Sequence, residues 1–434
     1  MASRRVVVTG LGAVTPLGVG VKQSWTKLIN SESGLKTIDV LPNAHEFKDI
    51  PPKVIAPIPR GSIKDGFYDP KDHFESFEIR RLPTFIQYGM VATHEALKDA
   101  NYFPEDEHSK EMTGVSIGSG FGSMDDVNST AVNFLQHGYR KIQPLLIPKI
   151  LPNMAAGHVS IKYGFKGPNH SVTTACATGT HSIGDSLLFI KQGYADVMVA
   201  GATEAVVHPL SMGGFARARS LCTDFNDEPT KASRPFDKDR NGFILGEGAG
   251  VLILEELNHA LERGAKIHAE VLGYGLSADA YHITSPPEDG QGAARSMRLA
   301  LKQAGLTADQ IDYVNAHATS TIVGDRAENA GMKAVFAETN PNLCVSSTKG
   351  STGHLLAAAG TVEGIFSILA LQTGILPPTL NLDNLGGNEG DNPDDFVFNY
   401  LPHKSVKKDI TYAMSNSFGF GGTNGSVIFG KYEP

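Results

Sequence analysis

The feature that most constrains the fold of this chain is a segment that occurs twice, 173 positions apart. Val172–His181 runs from a strand-like end through Ser, Thr and Gly positions into a helix-like start, and Val345–His354 repeats that order. A weaker echo sets Val115–Gly120 beside Val314–Thr319. Recurrence of Ser, Thr and Gly at helix caps is the simpler explanation of one echo. Two echoes together favour a duplicated chain made of two βα halves.

Short apolar runs alternate with helix-like periods along both halves. The predicted strands are Val6–Val8, Gly114–Ile117, Val197–Ala200, Gly250–Leu254, Tyr313–Asn315, Asn342–Ser346 and Ser426–Phe429. The predicted helices are Phe85–Ala100, His181–Gln192, Glu256–Arg263, Gly292–Ala304, Asp325–Phe336 and Leu355–Gln372. Such alternation is typical of an α/β protein whose parallel or mixed sheet is covered on both faces. We expect one half at residues 1–265, with an inserted cap at about residues 35–110, and a second half at residues 266–434.

Composition excludes several classes of protein. The 434 residues are 41% hydrophobic and 19% charged, which argues against a disordered chain. The net charge of −8 and the pI near 6.0 argue against nucleic acid as a partner, because phosphate binding favours a basic face. No apolar run approaches the roughly 18 residues of a membrane span, and the strand predicted from Arg5 leaves no room for a presequence. We therefore expect a soluble protein.

The three cysteines divide into one candidate nucleophile and two candidate core residues. Cys176 lies among small and polar residues, between a strand-like end and a helix-like run. The dipole and free N–H groups of a helix N-terminus stabilise a thiolate, which predicts a lowered pKa for this thiol. A cysteine is more often a small buried apolar residue, and we assign that role to Cys222 and Cys344.

Two of the fifteen histidines, His317 and His354, follow predicted strand ends in loops rich in Gly, Ser and Thr. Strand ends are where sites form in open α/β sheets. Cys176 with two histidines could also form a zinc site, but the sequence separations match no short ligand pattern. Acyl chemistry is the better interpretation, with a cysteine nucleophile and histidines as donors or bases.

The segment Asn416–Gly425 is rich in Gly, Asn and Ser, so its backbone N–H groups can point inward. Such a loop can supply a donor to an oxyanion, although an ordinary turn has the same composition. Gly114–Gly118 fits the elbow of serine hydrolases, but Ser116 lies inside an apolar run. Gly118–Gly122 and Gly273–Gly275 lack the full spacing of a dinucleotide loop. Serine hydrolysis and a nicotinamide cofactor are therefore disfavoured.

Taken together, these motifs resemble the β-ketoacyl-acyl carrier protein synthases of the synthase II type, the elongating condensing enzymes of fatty acid synthesis. The similarity covers essentially the whole chain, and its motifs are Thr174–Gly179, Asn315–Thr321, Ser347–His354 and Asn416–Asn424. The resemblance implies the thiolase fold, in which two βα halves form a five-layered αβαβα core. It also implies a homodimer.

The resemblance implies a role for each motif in a decarboxylative condensation. Cys176 would accept an acyl group from an acyl carrier protein thioester. His317 and His354 would bind the malonyl thioester carbonyl and stabilise the enolate that forms as carbon dioxide leaves. That carbon then attacks the acyl group, and the fatty acid grows by two carbons.

Further residues acquire supporting roles from the same resemblance. Backbone N–H groups of Cys176 and Phe418 would form the oxyanion hole of the acyl step. Lys349 would belong to the active site and orient His354 and Glu363.

The resemblance also places the substrates. Thr319, Thr321 and Thr284 would hold the phosphopantetheine arm, and Phe121 and Phe215 would line the acyl pocket. Synthase II proteins usually carry Ile where this chain has Phe121, so a shorter acyl chain is one expectation.

The expected partner is an acyl carrier protein, in its acyl and malonyl forms. Arg140, Lys141 and Arg219 match positions that contact the carrier in the family, and local basic patches can act within an acidic protein. Phosphopantetheine arrives on the carrier, so we expect no required cofactor and no catalytic metal, although some relatives hold a structural monovalent cation.

Differences among relatives narrow the interpretation. Chain-initiating synthases carry Asn in place of His354, degradative thiolases carry a second Cys that Phe418–Asn424 lacks, and non-catalytic partner subunits lack the nucleophile. Ala318 and the pair Gly350–Ser351 resemble the mitochondrial members. We therefore expect an elongating acyltransferase of mitochondria, with the cytoplasm as the alternative.

Overall fold

Helices and strands alternate along residues 4–433, which the computed structural model of the protein describes. The strands are β1 (Val6–Thr15), β2 (Gly18–Val19), β3 (Lys36–Thr37), β4 (Val54–Ala56), β5 (Thr113–Gly118), β6 (Asn169–His170), β7 (Val197–Glu204), β8 (Leu245–Gly246), β9 (Gly248–Glu256), β10 (Ala269–Ala278), β11 (Tyr313–Asn315), β12 (Cys344–Ser346), β13 (Ile375–Leu376), β14 (Val406–Lys407), β15 (Tyr412–Gly419) and β16 (Thr423–Gly430). The α-helices are α1 (Val21–Ile29), α2 (Ser76–Arg81), α3 (Thr84–Asp99), α4 (Glu107–Glu111), α5 (Met124–His137), α6 (Leu146–Ile150), α7 (Met154–Tyr163), α8 (Thr178–Lys191), α9 (Pro209–Arg217), α10 (Leu257–Glu262), α11 (Gln291–Ala304), α12 (Ile322–Phe336), α13 (Lys349–Thr352) and α14 (Ala359–Thr373). Every predicted strand and helix is present, and the ends of all but β11 are shifted. The long strands β10 and β15, several shorter strands and helices such as α1, α5 and α7 were not predicted.

The main sheet repeats one topology twice. Its strand order is β12-β11-β15-β16-β10-β1-β9-β7-β5-β6, and β2 pairs with β1 beside this path. In the first half, β1 pairs antiparallel with β9, β9 antiparallel with β7, and β7 parallel with β5, which is parallel to β6. In the second half, β10, β16, β15, β11 and β12 repeat these pairings in the same senses. The predicted duplication of βα halves is confirmed.

The halves join where their first strands, β1 and β10, pair antiparallel. Helices α3 and α7 cover the outer face of the first half, and α11 and α12 cover the outer face of the second. Helices α8 and α14 pack against each other between the two halves and contact strands of both. The result is the predicted αβαβα arrangement, with the loops that precede α8 and α14 close together.

A pair of glycines in each first strand lets a helix approach unusually closely. A Cβ atom on Gly10 or Gly12 would lie about 2 Å from a backbone oxygen of α3, at 2.1 and 1.9 Å. Gly273 and Gly275 stand in the same relation to α11, at 2.2 and 1.9 Å. Gly273 and Gly275, which resembled part of a dinucleotide loop, therefore allow α11 to pack closely on β10. Any side chain at these positions would push the helix off the sheet.

The predicted register of the internal echo is wrong. Ala175 and Leu356 both have left-handed φ angles, of 49° and 50°, and each opens a short 3₁₀ turn before α8 or α14. These equivalent turns lie 181 positions apart and not 173, because the second half contains the additional turn α13. His181, inside α8, is therefore not the counterpart of His354.

The segment predicted as a cap has two parts. Strands β3 and β4 form a small separate sheet with β8. Helix α3, however, packs on β1 and β9 and belongs to the outer layer of the core. The cap therefore cannot extend over the whole of residues 35–110, and the division of the chain near residue 265 stays a prediction.

One helical segment among the described residues is long and apolar enough to cross a membrane. Leu356–Thr373 has a mean hydropathy of 1.4, and 83% of it is buried in the protein. It comprises α14 and the turn before it, packed between α8 and the sheet. A central core helix passes the same test of length and composition, so this feature is weak evidence for a membrane span.

Candidate active site

Cys176 lies in the 3₁₀ turn Ala175–Ala177, immediately before α8. The left-handed φ of Ala175 turns the chain sharply there, and Cys176 is partly exposed while Ala177 is buried. Non-glycine residues rarely adopt this conformation, and its cost is sustained by the surrounding packing. The predicted nucleophile is thus presented at a strained turn that opens a helix.

The thiol of Cys176 faces a histidine. His354 Nε2 lies 3.0 Å from the sulfur. Burial raises the pKa of Cys176 to about 12, and the nearby Lys349 cation only partly opposes this effect. The lowered pKa that we expected from the helix N-terminus is therefore not found, because loss of water around the sulfur outweighs the favourable charges. The thiol rests as a neutral group beside an imidazole that can accept its proton.

The two predicted histidines are brought together in space. His317 follows β11 and His354 follows α13, and their ring centroids lie 5.3 Å apart with the planes at 82°. Burial, reinforced by Lys349, holds the pKa of both imidazoles well below the ordinary value. Both rings are therefore neutral, so each can offer one N–H without carrying a charge.

Lys349 and Glu363 form a buried ion pair beneath the histidines. Burial raises the pKa of Glu363 to about 7, and Lys349 acts in the opposite direction. The positive charge of Lys349 is the member of this pair that disfavours protonation of the two imidazole rings.

The carboxylate of Glu328, on α12, accepts the backbone N–H groups of His317 at 2.9 Å and Ala318 at 2.6 Å. Burial raises the pKa of Glu328 to about 7. It therefore fixes the backbone that carries His317. Sequence analysis did not assign a role to Glu328, although its place almost two turns into α12, the helix that follows the His317 motif, is a usable signal.

The Gly-rich segment near the C-terminus is the tip of the β15–β16 hairpin. The backbone N–H of Phe420 reaches the sulfur of Cys176 closely enough to oppose the rise in its pKa. The ring of Phe418 packs against His317, with centroids 5.7 Å apart. A Cβ on Gly419 would lie 3.1 Å from the Cys176 nitrogen, so only glycine lets the hairpin approach this closely. Sequence analysis missed Phe420, and the oxyanion role of Phe418 stays a prediction.

A cavity of about 890 Å³ opens onto the thiol and both histidines. Its lining includes most of the residues predicted to touch substrate, namely Thr284, Thr319, Thr321, Phe121, Phe215 and Arg219. The Thr319 and Thr321 hydroxyls lie 3.1 Å apart. Arg140 and Lys141 lie outside the cavity on an exposed turn after α5.

Aromatic rings enclose one end of this cavity. Phe121 packs edge-on against Phe215 at 5.9 Å, and Phe215 contacts Phe243 at 5.3 Å and Phe420 at 6.4 Å. This end joins an apolar cluster that includes Cys176. An acyl chain on the sulfur would therefore meet hydrocarbon and aromatic surface.

The other candidate nucleophiles considered in the sequence analysis do not lie in this cavity. Ser116 is fully buried within β5, where Ser182 donates to its hydroxyl at 3.1 Å, and it does not line the cavity. Cys222 and Cys344 are buried, as predicted. The burial of Ser116 argues against serine hydrolysis through the Gly114–Gly118 motif.

Within residues 4–433, no cluster of three His, Cys, Asp or Glu side chains could hold a metal ion. Asn315 and Ser415 face each other across the parallel pair β11–β15, and their buried side-chain oxygens have no hydrogen-bond partner in the described part of the chain. Neutral oxygens of this kind suit a monovalent cation or a buried water better than a transition metal.

Comparisons with known proteins agree with this geometry. Residues 3–260 match the family described as the N-terminal domain of β-ketoacyl synthases, and residues 268–383 match its C-terminal domain. The ketosynthase of a type II polyketide system, solved with its acyl carrier protein, superposes with a TM-score of 0.86 at 30% identity and covers 99% of this chain and 100% of that one. A thiolase-like fold with this site defines a condensing acyltransferase.

Curated relatives give the family. The mitochondrial 3-oxoacyl-acyl-carrier-protein synthase of Arabidopsis thaliana is 52% identical over 440 residues, covering 98% of this chain and 93% of that protein. The 3-oxoacyl-acyl-carrier-protein synthase 2 of Rhizobium meliloti is 48% identical over 99% of both. The chain belongs to the β-ketoacyl synthase family, whose members of this type elongate fatty acids by Claisen condensation.

Proposed function

We propose that Cys176, His317 and His354 together carry out the decarboxylative condensation of an acyl group with a malonyl thioester. The observation that carries the proposal is their convergence on one cavity, with His354 Nε2 at 3.0 Å from the thiol and 5.3 Å between the two histidine rings.

In the first step, the Cys176 thiol transfers its proton to His354 as the sulfur attacks the acyl thioester carbonyl. The carbon–sulfur bond to the incoming thiol then breaks, and that thiol leaves with the proton. Negative charge builds on the carbonyl oxygen, so N–H donors must lie beside the sulfur. We assign these donors to Cys176 and Phe420, in place of Phe418, because the Phe420 N–H already reaches the sulfur.

In the second step, a malonyl thioester occupies the cavity and loses carbon dioxide. The electrons of the broken carbon–carbon bond form an enolate whose oxygen is met by the N–H groups of His317 and His354. For this step the single proton of the His354 ring has moved from Nδ1 to Nε2 by exchange with solvent. Neutral imidazoles suit this role, because their pKa values lie well below the ordinary range. The enolate carbon attacks the acyl group, and the Cys176 sulfur leaves as thiolate. Lys349 and Glu363 orient the rings from below.

The partner of this reaction is an acyl carrier protein, as in the solved ketosynthase complex. Its phosphopantetheine arm would lie along Thr284, Thr319 and Thr321, which line the cavity. Arg219 at the cavity and the exposed pair Arg140–Lys141 would meet the acidic carrier. The arm arrives on the carrier, so the protein needs no resident cofactor, and a structural monovalent cation would fit beside Asn315 and Ser415.

A homodimer is supported by apolar surface on neighbouring elements. Leu135 is 81% exposed, Tyr139 80%, Ile147 59% and Ile161 81%. Large exposed apolar patches mark association surfaces.

Localisation in mitochondria is supported by the naming of the Arabidopsis thaliana relative, whereas a bacterial relative of similar identity has no such compartment.

The proposal is tested by mass spectrometry of Cys176 after incubation with a series of acyl carrier proteins, followed by addition of malonyl carrier protein. We expect an acyl adduct on Cys176 that disappears as the 3-oxoacyl product forms. Carbon–carbon bond formation without any adduct on Cys176, or no bond formation by the intact protein, would reject the proposal.

The exposed pairs Arg80–Arg81 and Arg140–Lys141 allow a matched test of carrier binding. Charge reversal at Arg140–Lys141 should weaken binding of the carrier protein, whereas charge reversal at Arg80–Arg81 should not.

A further inference from the structure

Arg240 is a charged residue that is completely buried beside the cavity without lining it. Its Nε donates to the carbonyl of Thr321 at 3.1 Å, and its Nη2 donates to the carbonyl of Ile322 at 2.8 Å. Asp391 accepts from both Nη atoms, at 2.7 and 2.9 Å. A third carbonyl acceptor for the guanidinium is that of Asp237, at 3.1 Å. Burying an arginine in this way costs several kcal/mol unless its hydrogen bonds are satisfied. Here the bonds to Thr321 and Ile322 hold the end of the Thr319–Thr321 turn where it enters α12.

That turn, Thr319–Thr321, has an unusual conformation. Ser320 has a left-handed φ of 70°, and its hydroxyl accepts the backbone N–H of Arg234 at 3.0 Å. The carbonyl of Ser320 accepts the N–H of Gly242 at 2.9 Å. Segments on both sides of Arg240 therefore hold the turn in a conformation that a serine would not adopt alone.

The hydroxyl of Thr321 is kept free of helix capping. Thr321 occupies the N-cap position of α12, where a threonine side chain ordinarily accepts a backbone N–H, yet it makes no such bond. Its hydroxyl instead faces that of Thr319 at the cavity. Asp325 accepts the Thr321 N–H at 3.3 Å, and Arg240 lies 3.9 Å from the same carboxylate. Arg240 and Asp325 thus fix the backbone of Thr321 while its side chain points elsewhere.

We propose that Arg240, held by Asp391, is a positioning residue that presents the Thr319 and Thr321 hydroxyls to the amide groups of a pantetheine-type arm. This inference rests on the proposed function, which assigns the arm to these threonines. Arg240 does not touch the substrate and acts only through the turn. Lysine cannot replace it, because one ammonium cannot serve two carbonyls and a bidentate carboxylate at once.

The test compares Arg240→Lys with the matched control Arg263→Lys. Arg263 also makes a bidentate pair with a buried carboxylate, Glu255, at 2.6 and 2.7 Å, but it lies on the far side of the sheet junction beside α3. We expect Arg240→Lys to raise KM for malonyl carrier protein roughly tenfold with kcat within about twofold. Arg263→Lys should leave both parameters unchanged.

Three further measurements separate positioning from a merely structural role. With S-ethyl malonyl thioester, which has no pantetheine amide, Arg240→Lys should behave like the wild type. In a double-mutant cycle, its effect on KM should vanish in a Thr319→Ala/Thr321→Val background. Alkylation of Cys176 by iodoacetamide should keep its wild-type rate. An unchanged KM, or an equal loss with both thioesters, would overturn the inference, whereas an inactive wild type would reject the proposed function instead.

Discussion

The two halves of the protein share a backbone and differ in chemistry. Each half ends a strand, passes a left-handed residue and a 3₁₀ turn, and starts a central helix, at Ala175 in one half and Leu356 in the other. The second residue of the turn is Cys176 in the first half and Ala357 in the second. Only the second half inserts α13, which brings Lys349 and His354 toward the first half's thiol. Duplication therefore provided two equivalent turns. The proposed nucleophile lies on the turn of the first half, and both proposed catalytic histidines belong to the second half.

The largest expected effect on activity comes from moving the thiol from the turn of the first half to the equivalent turn of the second half. Cys176→Ala should lower the rate of carbon–carbon bond formation by roughly 10⁴-fold or more, because no other nucleophile meets the acyl carbonyl. Adding Ala357→Cys should not restore activity, because Ala357 is fully buried and does not line the cavity. Condensation assays with acyl and malonyl carrier proteins, and mass spectrometry of the adducts, measure both variants. Acylation of a cysteine at position 357 would show that the turn of the second half can also present a nucleophile, which contradicts the expected difference between the two halves.

The two histidines of the second half should separate the two chemical steps. Each of His317→Asn and His354→Asn should lower condensation by about 10²- to 10³-fold, because the shorter amide cannot place its N–H where the imidazole N–H lies. His354→Asn should in addition slow acylation of Cys176, since it removes the group 3.0 Å from the sulfur. Rapid-quench measurement of the acyl-enzyme reports the first step alone. Equal acylation rates in the two variants would contradict this division, and His108→Asn on the exposed α4 serves as control.

The additional turn α13 should depend on its ion pair for stability. Lys349→Ala should lower the free energy of unfolding by about 3–5 kcal/mol, because Glu363 would be left buried without a counter-charge. Lys166→Ala removes an exposed pair with Glu107 that solvent screens, and it should lower the free energy of unfolding far less. Urea unfolding of both variants measures the difference. Similar losses would show that α13 does not rely on the buried pair.

The pKa of a histidine in the first half and the pKa values of two histidines in the second half should be shifted in opposite directions. His259, on α10 of the first half, lies 2.6 Å from Glu255, which raises its pKa, so it becomes charged first as the pH falls. The pKa values of His317 and His354 are lowered by burial, so both rings stay neutral at pH 6. At that pH an ordinary histidine would be about three-quarters protonated. NMR of labelled imidazoles tests this order, which a charged His317 or His354 at pH 6 would contradict.

The smallest expected effect concerns acyl chain length, which is set within the first half. Phe121 is 40% exposed at the cavity and packs on Phe215, so Phe121→Ala should open space at the aromatic end. We expect the preferred chain to lengthen, with a change of roughly tenfold for the longest substrates. Competition between acyl carrier proteins for Cys176 gives the ratio directly. Phe103→Ala, at an exposed position that does not line the cavity, should leave the preference unchanged.

The sequence predicted the parts of the site that depend on local pattern. Cys176, His317 and His354 each follow a strand end in a distinctive motif, so they could be selected without any knowledge of their contacts. The order of the thiolase-like halves could also be inferred, because βα units recur along the chain. Sequence analysis did not select Arg240 and Glu328, because a charged residue in a polar segment looks like a surface residue until its burial and its backbone partners are known.

Predictions that depended on environment failed or stayed open. The expected drop in the Cys176 pKa used the helix N-terminus, which the sequence shows, and omitted desolvation, which it does not show. The 173-residue register followed matching letters, whereas the turns themselves align at 181 because α13 was inserted between them. Phe418 and Phe420 are indistinguishable by composition, and only the hairpin geometry places the second beside the sulfur.

By itself the sequence determined the fold family, the duplication and the identity of the reactive side chains, because periodicity and motif order are properties of the chain. The tertiary structure alone decided how these groups act on one another. Burial, not residue type, keeps the thiol and both imidazoles neutral. Distance, not residue type, brings Lys349 and Glu363 together as an ion pair and places Arg240 against the backbone of the threonine turn. Such effects arise when residues hundreds of positions apart exclude water from a shared space, and no local pattern records that.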